Sequence, residues 1–578
     1  VNITIGGSGD TTVSTISTGS GTLTKDGSGT LTLSGNNTYT GATTVSSGGT
    51  LAVTVNNGLG TNGAGTTVAS GAVLDLQNVN YSTTEGLIVN GGTIKTSTGT
   101  STFAGAITLG ATSTADVGGT QLTLSGIISG LGFGLTKTSS GILVLSGTNT
   151  YTGVTTINAG TLSVGTIGNG LSAGNLGAAT NAATNIVFAG GTLLVTSNST
   201  SDRAFTINAG ATAIINVSSG VTATLAGATG TSTNGALTKT SSGRLNLTGV
   251  NTYTGATTIS AGTLAITGSG SLGSGSYAGA IVNNGAFVYS SSATQTLSGI
   301  ISGSGTLTKD TGSSSVLTLS NASNSYSGIT TISAGTISIS ADANLGTAPG
   351  SSVATQLTLS GGNLRTTGTF SLATNRGITL GTGGGGIDVV SGTLTYPGAI
   401  VGANTFTKYG SGTFVLTGSK TGTAYVVVYQ GTFTVEADAP VLTGQTFTGA
   451  GNLIIQSSGT SFSPTFQASG LSLVGNTGTA PTEPVSTDGV NRSALMGTLT
   501  IGKSGNLGTI NISGNITTAG NQTFYGPVTL SADITSTITS GTVNFVGTLN
   551  SSNGTPRSLT VSGGTLKLDG IVGQTNPL

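Results

Sequence analysis

A motif present in five copies constrains this chain more than anything else in it, because a repeat of fixed internal pattern points to an array of stacked supersecondary units. The first copy runs Leu23-Thr-Lys25-Asp-Gly-Ser-Gly29-Thr-Leu31-Thr-Leu33-Ser-Gly35-Asn-Asn-Thr-Tyr39-Thr-Gly41. It returns from Leu135 through Leu143 and Leu145 to Tyr151 and Gly153, and from Leu237 through Leu245 and Leu247 to Tyr253 and Gly255. A fourth copy, three residues longer, runs from Leu307 through Leu317 and Leu319 to Tyr326 and Gly328. A degenerate fifth runs from Phe406 through Phe414 and Leu416 to Tyr425, where the Tyr-Thr-Gly ending is lost. After each tyrosine motif comes a short strand, a glycine turn and a second short strand. Gly49-Thr50-Leu51 is the first such element, and Leu162 and Leu264 occupy the place of Leu51 in later copies.

The Leu-x-Leu pattern has the period of two expected of strands, with one face apolar. Gly, Asn and Ser between the strands supply the turns, and no run shows a 3.6-residue period. The chain is therefore expected to be all-β. Gly-Thr-Leu elements recur about every 20 residues, as at Leu51, Leu74 and Ile94. A coil of that length holds three short strands, each pairing with its equivalent in the next coil at roughly 4.8 Å. The expected fold is a single-stranded parallel β-helix, a solenoid, with Leu, Val and Ile inside and Thr, Ser and Asn facing water. About 25 to 30 coils would make a rod on the order of 120 to 140 Å. Each coil buries its neighbour, so an isolated coil is not expected to fold.

Composition separates this reading from disorder. Charged residues are 5% of the chain and net charge is zero, whereas disorder couples low hydrophobicity to high net charge. Zero net charge and the lack of a basic run give no electrostatic basis for nucleic acid or anionic lipid as partners. No stretch reaches the 18 or so apolar residues of a membrane helix. Val1 opens without the features of a signal peptide, and neither terminus resembles a cap. The expectation is a processed or partial chain, a segment of a longer solenoid or a subunit whose ends meet others.

Catalytic chemistry finds little material. With no His and no Cys, a Ser-His-acid triad, a His base and the usual zinc sites are excluded. Glu436 and Asp438 are the one tight carboxylate pair, and Pro440 nearby favours a solvated turn over a hydrolytic site. Gly383 to Gly386 followed by Asp388 lacks the repeated pattern of calcium-binding coils. No catalytic residue, metal ligand or cofactor is assigned. The recurrent Lys25, Lys137, Lys239, Lys309 and Lys408 are expected to be solvated beside turns. Tyr39, Tyr151, Tyr253 and Tyr326 are expected to pack over coil corners, with ligand stacking as the alternative.

The run from Leu23 to Gly41, followed by Val45 and Gly49-Thr50-Leu51, resembles the autotransporter-associated β-strand repeat. The resemblance is strongest at residues 19–53, 121–164, 225–266 and 295–339, with weaker coverage to about 435. It implies a right-handed parallel β-helix, export across the outer membrane of a Gram-negative bacterium, display at the cell surface and a structural or adhesive role. It implies no catalysis, and the family's C-terminal translocator barrel is missing from these residues. The expected organisation is a repeat-bearing helix over 1–435, irregular coils over 436–497 and further coils over 498–578. Pro440, Pro464, Pro481 and Pro484 loosen the middle segment, and residues 475–493 are expected to form a protruding loop. Two functional readings follow. One is an extracellular stalk or fibre that self-associates end to end or side by side. The other is an adhesin that holds a glycan or protein through a polar face or the 475–493 loop.

Overall fold

In the computed structural model the chain is all-β, with parallel strands stacked as a β-solenoid of about 25 turns. The structure describes residues 1–61, 63–230, 233–312, 314–422, 425–437, 446–459, 462, 466–467, 472–473 and 495–578. Among them, helix is confined to three 3₁₀ turns, Ala183–Asn185, Gly273–Gly275 and Asp342–Leu345. The chain forms two compact units, Val1–Gln295 and Thr296–Leu578.

In the first unit one sheet stacks Ile3–Ile5, Leu23–Lys25, Thr43–Val45, Thr66–Val68, Leu87–Asn90, Ile107–Ala111 and Ile128–Ser129. Aligned residues are Ile3, Leu23, Thr43, Thr66, Leu87, Ile107 and Ile128. Successive partners thus lie 20 to 23 residues apart, one coil each. A second sheet aligns Leu31, Leu51, Leu74, Ile94 and Ala115 into an inward column, then continues it with Lys137 and Ile157. The third face carries strands such as Gln121–Leu124, Ile142–Leu145 and Thr161–Val164. Leu23, Leu31, Leu33, Leu51, Leu143, Leu145, Leu162, Leu245, Leu247 and Leu264 are all at most 1% exposed. Each such side chain contributes roughly 1.5–3 kcal/mol by leaving water.

The second unit repeats this construction. Val316–Leu319, Thr336–Ile339, Asn363–Thr366, Gly385–Val389, Phe406–Tyr409 and Tyr425–Val428 stack in order, and Leu317 and Leu319 are buried. A neighbouring face holds Phe414 against Phe433 with ring centroids 5.4 Å apart. Asn452–Gln456 pairs directly with Leu499–Ile501, aligning Leu453 with Leu499. Most of the intervening segment, including the expected loop at 475–493 and Pro464, Pro481 and Pro484, lies outside the described residues, as does Pro440 before it.

Two expectations need correction. The five repeat lysines are not solvated: Lys25, Lys137, Lys239, Lys309 and Lys408 are between 0% and 2% exposed. In Leu-Thr-Lys the lysine is two residues from the leucine, so the strand period turns both to the same, inner side. Lys25 stands in register with Ile5 and Val45, Lys239 with Ile215 and Ile259. Tyr425 does not close the fifth repeat. Val426 aligns with Phe406 as Thr43 does with Leu23, so Tyr425 occupies the place of Ala42, and it is 37% exposed.

Candidate functional site

The residues with the most distinctive chemistry converge on one buried corner that recurs in each full repeat. Its centre is the tyrosine. Tyr39, Tyr151, Tyr253 and Tyr326 are at most 1% exposed. Each hydroxyl shares a hydrogen bond with the threonine four residues on: Thr43 at 2.6 Å, Thr155 at 2.7 Å, Thr257 at 2.9 Å and Thr330 at 2.9 Å. These threonines therefore face inward, against the expectation that Thr meets water, because a buried hydroxyl needs a partner. Burial holds the phenols neutral, pushing Tyr39, Tyr151 and Tyr326 up to about 12.

Two residues before the tyrosine stands a buried asparagine that links three coils. Asn149 Oδ1 accepts from Ile128 N at 2.8 Å in the coil before, and Asn149 Nδ2 donates to Asn175 O at 2.8 Å in the coil after. Asn324 makes the same pair with Ile301 N and Asn344 O, both at 2.8 Å. Asn37 does so with Ile16 N at 2.6 Å and Gly58 O at 2.5 Å. Asn251 keeps only the forward half, donating to Ser271 O at 3.2 Å.

The next coil brings up a Leu-Gly pair, and Leu59-Gly60, Leu176-Gly177 and Leu345-Gly346 lie against the tyrosine. Leu272-Gly273 is the remaining pair, its leucine in register with Asn251, and beyond it Tyr277 packs on Tyr253 with ring centroids 5.8 Å apart. All four leucines are buried, and all four glycines have positive φ, between 53° and 83°. A Cβ on Gly346 would also lie 2.8 Å from Tyr326 Cδ1, so ring and backbone touch. The glycine of Tyr-x-Gly is set by a different contact. A Cβ on Gly41 would fall 2.3 Å from Gly21 O, and on Gly328 2.0 Å from Gly305 O, with Gly153 and Gly255 equally crowded.

Each lysine closes a turn from inside. Lys137 Nζ donates to Thr138 O and Ser139 O, both at 2.7 Å, and to Ala159 O of the next coil at 3.1 Å. Lys239 and Lys408 repeat this triad, ending on Ala261 O and Gln430 O. Lys25 binds Asp26 O and Gly27 O, and Lys309 binds Thr311 O. Burial pushes Lys137, Lys239, Lys309 and Lys408 down to about 8. The three N–H donors of an ammonium match three carbonyls, so the group works as an internal turn clamp.

Other groups went unread in the sequence. Arg203 and Arg376 are 1% exposed and donate to the corner carbonyls of Gly177 at 2.7 Å and Gly346 at 2.9 Å. Glu85 is 1% exposed, accepts from Thr66 Oγ1 at 2.9 Å and is pushed up to about 7 by burial. Of the carboxylates singled out in the sequence, Asp388 pairs with Arg365 at 2.8 Å in the adjacent strand. Glu436 accepts from Gln456 Nε2 at 2.6 Å, and its neighbour Asp438 lies outside the described residues. Among the described residues no cluster of three or more acidic, His or Cys side chains could hold a metal, and no helix is long and apolar enough to cross a membrane.

The passenger-associated-transport-repeat family model matches residues 23–53, 135–164, 237–266, 311–339 and 406–437. Over 492 residues the chain is 32% identical to the adhesin BmaC autotransporter of Brucella suis biovar 1 (strain 1330). That alignment covers 78% of this chain and 14% of the relative's length. No solved structure matches the chain.

Proposed function

We propose, on the premise that this chain is an autotransporter passenger repeat protein, that it is a non-enzymatic scaffold displayed outside the bacterial cell as a stalk or fibre. One observation carries this reading. In every full repeat the residues able to do chemistry, Lys, Asn, Tyr and Thr, are buried and spent on hydrogen bonds within the scaffold itself, closing its turns or joining one coil to the next. The division into a helix over 1–435, irregular coils over 436–497 and further coils over 498–578 belongs to the same proposal. So does self-association, since 5% charged residues leave little repulsion between copies.

The relative's description as an adhesin supports a second reading, in which the chain also contacts a surface glycan or protein. Binding of the purified chain to epithelial monolayers and to immobilised glycans separates the two. The stalk reading expects signal no higher than a scrambled-surface control, while saturable binding would replace it with the adhesin reading. Electron micrographs of the same material test the fibre: ordered end-to-end or lateral assemblies support it, and monodisperse particles at high concentration refute it.

A further inference from the structure

The corners at Arg203 and Arg376 are built alike but are not equally satisfied. At the second corner, Arg376 Nε and Nη2 grip both oxygens of Asp342 at 3.0 and 3.2 Å. Arg376 Nη1 donates to Leu345 O at 3.0 Å, and Nη2 also reaches Gly346 O. At the first corner, Arg203 Nη2 donates to Gly177 O at 2.7 Å and Asn169 O at 3.3 Å. Its Nε and Nη1 are buried with no acceptor among the described residues. A guanidinium carries five N–H donors, so three of them point at nothing within a side chain that is 1% exposed.

The backbone shows what is missing. Gly165 N and Thr166 N donate to Asn175 Oδ1 at 3.0 and 3.1 Å, just as Ser340 N and Ala341 N donate to Asn344 Oδ1 at 2.9 Å. Between these matching anchors the second corner has only Asp342 and Ala343, whereas the first has residues 167–174, none of them acidic. The nearest carboxylate, that of Asp202, accepts from Gly170 N at 2.7 Å in the exposed part of the loop. Among the described residues, the buried phenol of Tyr151 and the Asp202 carboxylate are the ionisable groups that bear on Arg203. A buried cation with unfilled donors is a costly arrangement unless an acceptor joins it.

We infer that the Arg203 corner holds one small monovalent anion, a halide or a formate-sized carboxylate, where the Asp342 side chain sits at Arg376. The loop 167–174 closes over that ion instead of supplying its own acid.

Thermal unfolding of the full chain tests this, with sodium gluconate exchanged for sodium chloride or sodium formate at constant ionic strength. A rise of about 2–4 °C, growing with the logarithm of anion concentration, is expected at 100-fold excess over the dissociation constant. Response to chloride alone identifies a halide, and response to formate alone a carboxylate. R376M, which breaks the self-sufficient corner, is expected to keep the anion effect, and R203M to lose it. Should R203M fail to fold, R203K keeps the charge with fewer donors and is expected to need at least tenfold more anion. Broadening of the ³⁵Cl resonance by wild type, reduced by R203K, gives an independent reading. Equal melting in gluconate, chloride and formate, or an undiminished rise in R203M or R203K, would overturn the inference.

Discussion

At the scale of single residues, polar side chains inside this solenoid are structural fastenings. Replacing Lys239 by Met keeps most of the aliphatic stem but leaves Thr240 O and Ser241 O without a donor. A loss of about 1–3 kcal/mol is expected, measurable by urea denaturation, against less than about 0.5 kcal/mol for an exposed lysine such as Lys567. Glu85 ties stability to pH. Below about 4.5 the carboxyl is protonated in both folded and unfolded chains. Between 4.5 and about 7 the unfolded chain gives up this proton while the folded one retains it. Stability conferred by this group is thus full at acid pH and lost as pH rises through about 7. Melting curves from pH 4 to 8 are expected to show this trend in wild type relative to Glu85→Gln, while a constant difference between the two would refute it. Legibility differed among these residues. The burial of Lys25 and Lys239 was readable from Leu-Thr-Lys, since alternation alone puts lysine on the leucine side, and the habit of placing lysine in water misled. Glu85 and Arg203 occur outside the recurring motif, so no sequence signal marked them.

At the scale of elements, coil-to-coil distance decides which glycines are replaceable. Gly41→Ala would drive a methyl group to 2.3 Å from Gly21 O, whereas nothing lies within 4 Å of a Cβ on Gly86. The first substitution is expected to cost about 1–3 kcal/mol or more and the second under about 0.5 kcal/mol, read from the same denaturation curves. Asn149→Ala removes the links to Ile128 and Asn175 together and is expected to cost about 2–4 kcal/mol. The strands and their inward leucines were legible because Leu31-Thr-Leu33 and Gly49-Thr50-Leu51 carry both the period and the turns. The Leu-Gly cover was not. It follows the tyrosine by one coil before Leu59, Leu272 and Leu345, but the residues 167–174 lengthen the interval before Leu176, which hides it from a fixed-period reading.

At the scale of the whole molecule, both units are built from layers that touch only their neighbours, so resistance to opening is set locally. Trypsin is expected to leave the chain intact at Lys25, Lys137, Lys239, Lys309 and Lys408, since none is accessible, and to cut early at Lys567, whose side chain is 58% exposed. Mass spectrometry of a limited digest checks this, and early cleavage at any repeat lysine would contradict the buried clamps. The fold class was legible at this scale because the repeat and the Gly-Thr-Leu elements between its copies share one spacing of strand and turn. The role of the segment before Leu499 was not, because its prolines break the pattern without replacing it by another. The asparagine at each corner has a further consequence for how the molecule grows. Since Asn149 holds the turn before it and the turn after it, the latch closes only when the chain has advanced one more revolution. At Asn37, Asn149 and Asn324 each arriving turn therefore adds a hydrogen bond that favours the turn already wound.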